Sequence, residues 1–271
     1  MDVVLAIVTN SPYRNAVARF ADEFAASIEG RVRVLSPAQV PATALPVPAI
    51  GAEDQETLLD RVAGEAEQQV EELAPDVLVS GEWLVGAPVK ECVRGMARCD
   101  FGVVGKTLFG ELPGTRNLGR ELVQLKRSCT KPLIIVPQEV RPLRNVLFVY
   151  TNHPEAGHAL TLARPLSEGG KNIVLFVATP ALGRAELEGT GNAYLEEHRI
   201  SHKTVKYDCS KCEEEGGGAG PVGDILHLVD QESIDLVVMG GTRRGFFGRM
   251  LWPEMAYEVA WNIQVPLLIW Y

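Results

Sequence analysis

The sequence predicts an α/β protein of two tandem domains, residues 1–139 and 144–271, each a five-stranded parallel sheet with helices on both faces. Three observations predict it. The chain has 271 residues, enough for about two domains at roughly 150 residues each. It also repeats itself: VLAIVTN at 4–10 matches VLFVYTN at 146–152, DFGVVGKT at 100–107 matches DLVVMGGT at 235–242, and PLIIVP at 132–137 matches PLLIWY at 266–271. Three matched blocks in one order are the mark of a repeat. Finally, short apolar runs alternate with amphipathic stretches, the pattern of parallel strands joined by helices.

In the first half, the apolar run 3–8 is a strand buried on both faces. Ser11-Pro12 then supplies an N-cap and an N1 proline, so a helix is expected to start there. Ala16, Phe20, Ala21 and Phe24 recur at helical spacing, and Gly30 is expected to close that helix. A second strand follows at 31–35, an amphipathic helix at 53–73 and a third strand at 77–80. Then come a helix at 88–96, the fourth strand at 101–105, a helix at 118–128 and the fifth strand at 133–136. Residues 138–144, with Pro142 and three charges, form a short linker that forces the halves close together. The second half repeats the order, with strands at 146–150, 173–177, 203–207, 236–239 and 267–270. Its helices fall at 155–167, 184–198, 222–231 and 255–262.

Composition narrows the function. Apolar residues make up 46% and charged residues 23%, the balance of an ordinary globular protein. The net charge of −9 argues against a phosphate-backbone partner, so no nucleic acid is expected. No apolar run approaches the roughly 18 to 20 residues that span a bilayer, so no membrane partner is expected either. The opening Met1-Asp2-Val3-Val4 has no basic n-region, and five cysteines are an odd number. Both point to a cytoplasmic protein with free thiols.

In open α/β sheets ligands bind beyond the carboxyl ends of the strands, where the strand order reverses. After strand one both halves place Thr-Asn, as Thr9-Asn10 and Thr151-Asn152, fit for turn chemistry or for ligand contact. After strand four of the second half stands Gly240-Gly241-Thr242-Arg243-Arg244-Gly245, leading to a helix near Pro253. Such a loop either needs glycine for its backbone angles or lets N–H groups and arginines approach an anion.

These blocks and the alternating architecture resemble the universal stress protein family, once per half. The resemblance implies two Rossmann-like (adenine nucleotide alpha hydrolase-like) domains with sheet order 3-2-1-4-5. It also implies an intramolecular pseudo-dimer paired through the fifth strands, with further dimerisation left open. The family's nucleotide binders carry Gly, two residues, Gly, nine residues, then Gly with Ser or Thr. In the second half Gly240 matches, but Arg243 and Pro253-Glu254 replace the remainder. A carboxylate at that helix start repels phosphate, and proline removes a donor. In the first half Gly105 matches, Leu108 replaces the second glycine, and Gly119-Arg120 stands one residue late. Thr9 and Thr151 stand where the family's nucleotide binders have an Asp, so neither half keeps a complete ATP site.

Other signals are weaker. Gly105-Lys106-Thr107 resembles the tail of a P-loop, but Asp100 occupies the place of its first glycine. Cys209 and Cys212 form a C-x-x-C, either a reversible redox pair or a harmless insertion. His198 and His202 precede the strand that those cysteines follow, on the order of 20 Å away, so no metal is expected. His153 is assigned to helix capping, and His158 and His227 to helix surfaces or the core. Trp252, Trp261, Trp270, Phe246 and Phe247 are assigned first to the interface between the halves.

The reading that results is a stress-response regulator or adaptor without chemistry of its own and with degenerate nucleotide-binding loops. It would bind a protein partner or a small adenine-containing ligand. One rival holds ATP in the first half through Gly105, Thr107, Gly110, Gly119 and Arg120, with slow hydrolysis. Another is a thiol-based redox adaptor using Cys209 and Cys212.

Overall fold

The apolar runs become strands of a single sheet that spans both halves. The computed structural model describes residues 1–9, 11–35, 37–38, 84–85, 88–106, 124–125, 128–151, 154–178, 184–206, 220–241 and 252–270. In chain order the strands are β1 (Val3–Ile7), β2 (Arg31–Leu35), β3 (Pro37–Ala38), β4 (Leu84–Val85), β5 (Phe101–Gly105) and β6 (Leu133–Val136). They continue as β7 (Asn145–Tyr150), β8 (Asn172–Val177), β9 (His202–Lys206), β10 (Leu236–Gly240) and β11 (Leu267–Trp270). The helices are α1 (Arg14–Ser27), α2 (Pro88–Met96), α3 (Pro154–Leu160), α4 (Ala163–Glu168), α5 (Arg184–Glu197), α6 (Gly220–Gln231) and α7 (Trp252–Asn262).

Nine strands form one sheet in the order β2-β1-β5-β6-β11-β10-β7-β8-β9, and β3 pairs with β4 alone. The second half thus has the order 3-2-1-4-5, all parallel. The described strands of the first half have the order 2-1-4-5, also parallel. The one antiparallel pair among these nine strands joins the fifth strands of the halves, with Ile134 opposite Leu268. The helix expected at 53–73 and the strand expected at 77–80 lie outside the described residues, as does most of the helix expected at 118–128.

Two cores line the two faces of this sheet, and each runs through both halves. One contains Phe20 and Phe24 of α1, Val103, Ile134, Leu143, Phe148, Leu166 and Leu268. The other contains Leu5, Met96, Leu133, Phe176, Val237 and Val259. A row of rings crosses the junction: Phe24 meets Phe101 edge-on at 5.3 Å, and Phe101 meets Trp270 edge-on at 5.9 Å. Such pairs contribute about 0.5–1.5 kcal/mol each beyond their buried area. Helices meet across the junction too. A Cβ on Gly169 would lie 3.0 Å from the Ser27 carbonyl carbon and closer still to the Ser27 oxygen, so only glycine lets the end of α4 approach α1. Glu23 of α1 accepts the Leu143 N–H at 2.5 Å, fixing the connection between the halves.

The repeated aspartates do the same work twice. Asp100 Oδ2 accepts the Val3 N–H at 2.9 Å, and Asp235 Oδ2 accepts the N–H groups of Arg144 and Asn145 at 3.1 and 3.0 Å. Each carboxylate ties the start of strand four to the start of strand one. Pro132 and Pro266 are likewise equivalent, their carbonyls accepting from Gly102 and Val237 at 3.0 Å.

Three local expectations are corrected. The first helix begins at Arg14 rather than Ser11, and its N-cap Tyr13 makes no side-chain cap bond. Ser11 is already in a tight turn, its N–H donating to the Thr9 carbonyl at 2.7 Å and its hydroxyl accepting from Thr9 Oγ1. Secondly, the left-handed residue after that helix is Glu29 at φ 52°, not Gly30. Gly30 serves close approach instead, since a Cβ there would lie 2.9 Å from the Asp2 carbonyl oxygen. Thirdly, the helix expected at 155–167 is two helices, α3 and α4. Pro165 cannot donate back to Thr161 and its ring crowds that carbonyl, so the chain turns there and restarts with proline in the first turn.

Candidate binding site at the strand ends

The strand order reverses between β1 and β5 in the first half and between β7 and β10 in the second. In sheets of this kind ligands bind beyond the carboxyl ends of the strands at these points. Thr9 and Thr151, which follow strand one of each half, are both buried, at 6% and 5% exposure. Thr9 spends its hydroxyl proton on Ser11 Oγ at 3.1 Å, the turn chemistry of the two alternatives.

At the end of strand four the halves differ. Gly240 ends β10, and a Cβ there would meet only backbone: the Ala156 nitrogen, Glu155 C at 2.7 Å and Ala156 Cα at 2.8 Å. The first turn of α3 therefore sits on the bare Cα of Gly240. The missing side chain makes room for a helix of the same chain. Gly241 continues the ladder, its N–H donating to the Trp270 carbonyl at 2.7 Å.

In the first half Gly105 pairs with Val136, and the next residue is Lys106, the equivalent of Gly241. Its N–H donates to the Val136 carbonyl at 3.2 Å, as Gly241 does to Trp270. Its side chain has no counterpart in the second half. Nζ donates to the carbonyls of Trp261, at 3.2 Å, and of Ile263, at the carboxyl end of α7. Cations are favoured there by the helix dipole. Burial pulls the Lys106 ammonium below the usual lysine range. Beside it opens a cleft of about 610 Å³ lined by Tyr13, Lys106, residues 137–141 and Gln264. Lys106 drew notice in the sequence only as a P-loop lookalike. Its link to Trp261 and Ile263 spans over 150 residues, and no local pattern signals it.

Of the sequence-predicted site residues, the structure describes Thr9, Gly105, Thr151, Gly240 and Gly241. Asn10, Thr107, Gly110, Gly119, Arg120, Asn152, Thr242, Arg243 and Gly245 lie outside the described residues, as do Cys209 and Cys212. His198 and His202 serve local structure: His198 Nδ1 bonds the Tyr194 carbonyl at 2.9 Å, and His202 Nε2 bonds Asn192 Oδ1 at 3.0 Å. No group of three or more metal-ligating side chains occurs among the described residues. None of the described helices is long and apolar enough to cross a membrane. Of the tryptophans assigned to the junction, Trp270 makes the inter-half contact with Phe101. Trp261, half-buried, packs against the second core.

A mostly parallel, doubly wound sheet with helices packed on it defines a Rossmann-like α/β protein. The Universal stress protein family profile matches residues 142–270, so the second half of the chain carries a universal stress protein domain. The fold of the whole chain is shared with solved structures. A universal stress protein from Archaeoglobus fulgidus is 16% identical, with a TM-score of 0.66 over 99% of this chain and 95% of that one. A functionally unknown protein from Pseudomonas aeruginosa PAO1 is 12% identical, with a TM-score of 0.63 over 100% and 92%. A putative universal stress protein from Pseudomonas aeruginosa UCBPP-PA14 is 13% identical, with a TM-score of 0.61 over 100% and 93%. No curated protein matches the chain.

Proposed function

We propose that the chain is a tandem universal stress protein, its halves joined as a pseudo-dimer, acting as a cytoplasmic stress-response regulator or adaptor with degenerate nucleotide-binding loops. The observation that carries this reading is the seat of α3 on Gly240. The one glycine of the phosphate signature that the second half retains is engaged by the protein's own backbone. The buried threonines at the ends of both first strands add support, because they provide no carboxylate there. A regulator of this kind works by what it binds, and the junction between its halves is the part that a ligand or partner could bias.

The experiment is mass spectrometry and absorbance on material released by denaturing the freshly purified protein. The proposal expects no stoichiometric adenine nucleotide. Stoichiometric ATP or ADP would favour the rival in which the first half holds nucleotide through Gly105, Thr107, Gly110, Gly119 and Arg120.

A further inference from the structure

We propose that the cleft between the halves, where Lys106 at the end of β5 faces the 137–141 connection and Gln264, is a binding site for a small organic anion bearing one carboxylate or phosphate group. The volume of about 610 Å³ lies within the usual range of small-molecule sites, about 300–1,000 Å³. An ammonium has three N–H groups, and Lys106 uses two of them on the carbonyls of Trp261 and Ile263. Those acceptors are neutral, so the positive charge stays uncompensated. Among the described residues neither Lys106 nor Arg141, the second cation lining the cleft, forms an ion pair. A partly buried cation without a counter-ion gains most from an anion, which offsets its lost hydration. Gln138 and Gln264 line the same cleft and carry amide donors, while Pro137 and Val140 give it an apolar wall. The lining therefore fits an anionic head with an apolar body. Glu139, also in the lining, opposes a second negative charge and so favours a single anionic group over a polyphosphate.

The site is distinct from the glycine loops, and the inference holds whether or not those loops take nucleotide. It is also confined to the first half, because Gly241 stands at the equivalent position of the second. A ligand there would touch the 137–141 connection and Lys106 together. Its binding would consequently act on the contact between β5 and the end of α7.

The test is titration with inorganic phosphate, followed by ³¹P NMR, and with benzoate, followed by saturation-transfer NMR, both at constant ionic strength set with chloride. The wild-type protein is expected to bind at least one probe, and the probe that binds identifies the headgroup. Arg141→Gln, at an exposed position, should weaken binding about threefold, as expected for a rim charge. Lys106→Met should weaken it about tenfold or more, as expected for a charge-assisted hydrogen bond, and Lys106→Arg should restore part of it. Should Lys106→Met fail to fold, the Arg141→Gln comparison decides alone. Absence of binding by either probe, or equal binding by wild type and Arg141→Gln, overturns the proposal.

Discussion

Replacing Gly240 by alanine separates two accounts of that glycine by the sign of the effect. No left-handed backbone angle occurs at Gly240, so alanine meets no conformational penalty there. If the space above it were open for a ligand, alanine would stabilise the fold by about 0.4–1 kcal/mol through the unfolded state. The structure fills that space with backbone. A Cβ would lie 2.7 Å from Glu155 C and 2.8 Å from Ala156 Cα, whereas ordinary contact begins near 3.4 Å. The first turn of α3 must therefore retreat by about 0.7 Å or more, most of all at the Ala156 nitrogen, a shift that side-chain rotation cannot supply. Overpacking of this kind costs about 1–3 kcal/mol, and rigid backbone on the opposing side places the change toward the upper end. For a protein of this size that corresponds to roughly 2–4 °C in Tm per kcal/mol. Urea unfolding followed by tryptophan fluorescence gives the difference directly. A Gly240→Ala protein as stable as wild type, or more stable, refutes the steric account of Gly240.

Three further outcomes follow from the same geometry. Gly157 lies inside α3 with nothing within 4 Å of its would-be Cβ. Gly157→Ala should therefore stabilise the protein by about 1 kcal/mol, a control on the same helix read by the same urea titration. Asp224 on α6 has a buried Oδ2 with no hydrogen-bond partner among the described residues, and burial raises its pKa against a smaller opposing effect of His227. The folded state thus holds the Asp224 proton more tightly than the unfolded state does. The penalty grows as pH rises through the carboxyl range and is fully present at neutrality. Asp224→Asn should raise Tm at pH 7, and the gain should shrink toward pH 4. Equal gains at both pH values would contradict that assignment. Cys92, Cys99 and Cys129 are buried, and burial, with Cys129 nearby, pushes the Cys92 thiol up to about 12. Thiol titration of the native protein at pH 8 should show these three reacting slowly. If the redox reading holds, Cys209 and Cys212 should be lost together on mild oxidation.

The inner strands of the large sheet are legible because buried parallel strands announce themselves as unbroken apolar runs, whereas the two-residue strands β3 and β4 are too short to show a pattern. The repeated Asp100 and Asp235 blocks marked equivalent places, although only the structure gives their role of holding the start of strand one. What depends on a single backbone bond was harder to read. Pro165 is the residue within 155–167 that breaks the helix, because it has no N–H to donate to Thr161. Gly30 looked like a helix stop by composition, whereas the structure needs it for the approach of the Asp2 carbonyl and lets Glu29 take the left-handed turn. At the candidate site, Gly240 was legible as a position without a side chain, but its occupant, the first turn of α3, is distant in sequence. Lys106 was hidden for the same reason. Its partners, Trp261 and Ile263, belong to the other half, and nothing in the local pattern couples them.

The central functional claim is that these nucleotide loops are degenerate, and titration calorimetry with ATP and magnesium tests it most directly. Degenerate loops should give no saturable heat at micromolar protein. A stoichiometric isotherm with a micromolar dissociation constant would contradict it and transfer the function to a nucleotide-binding first half.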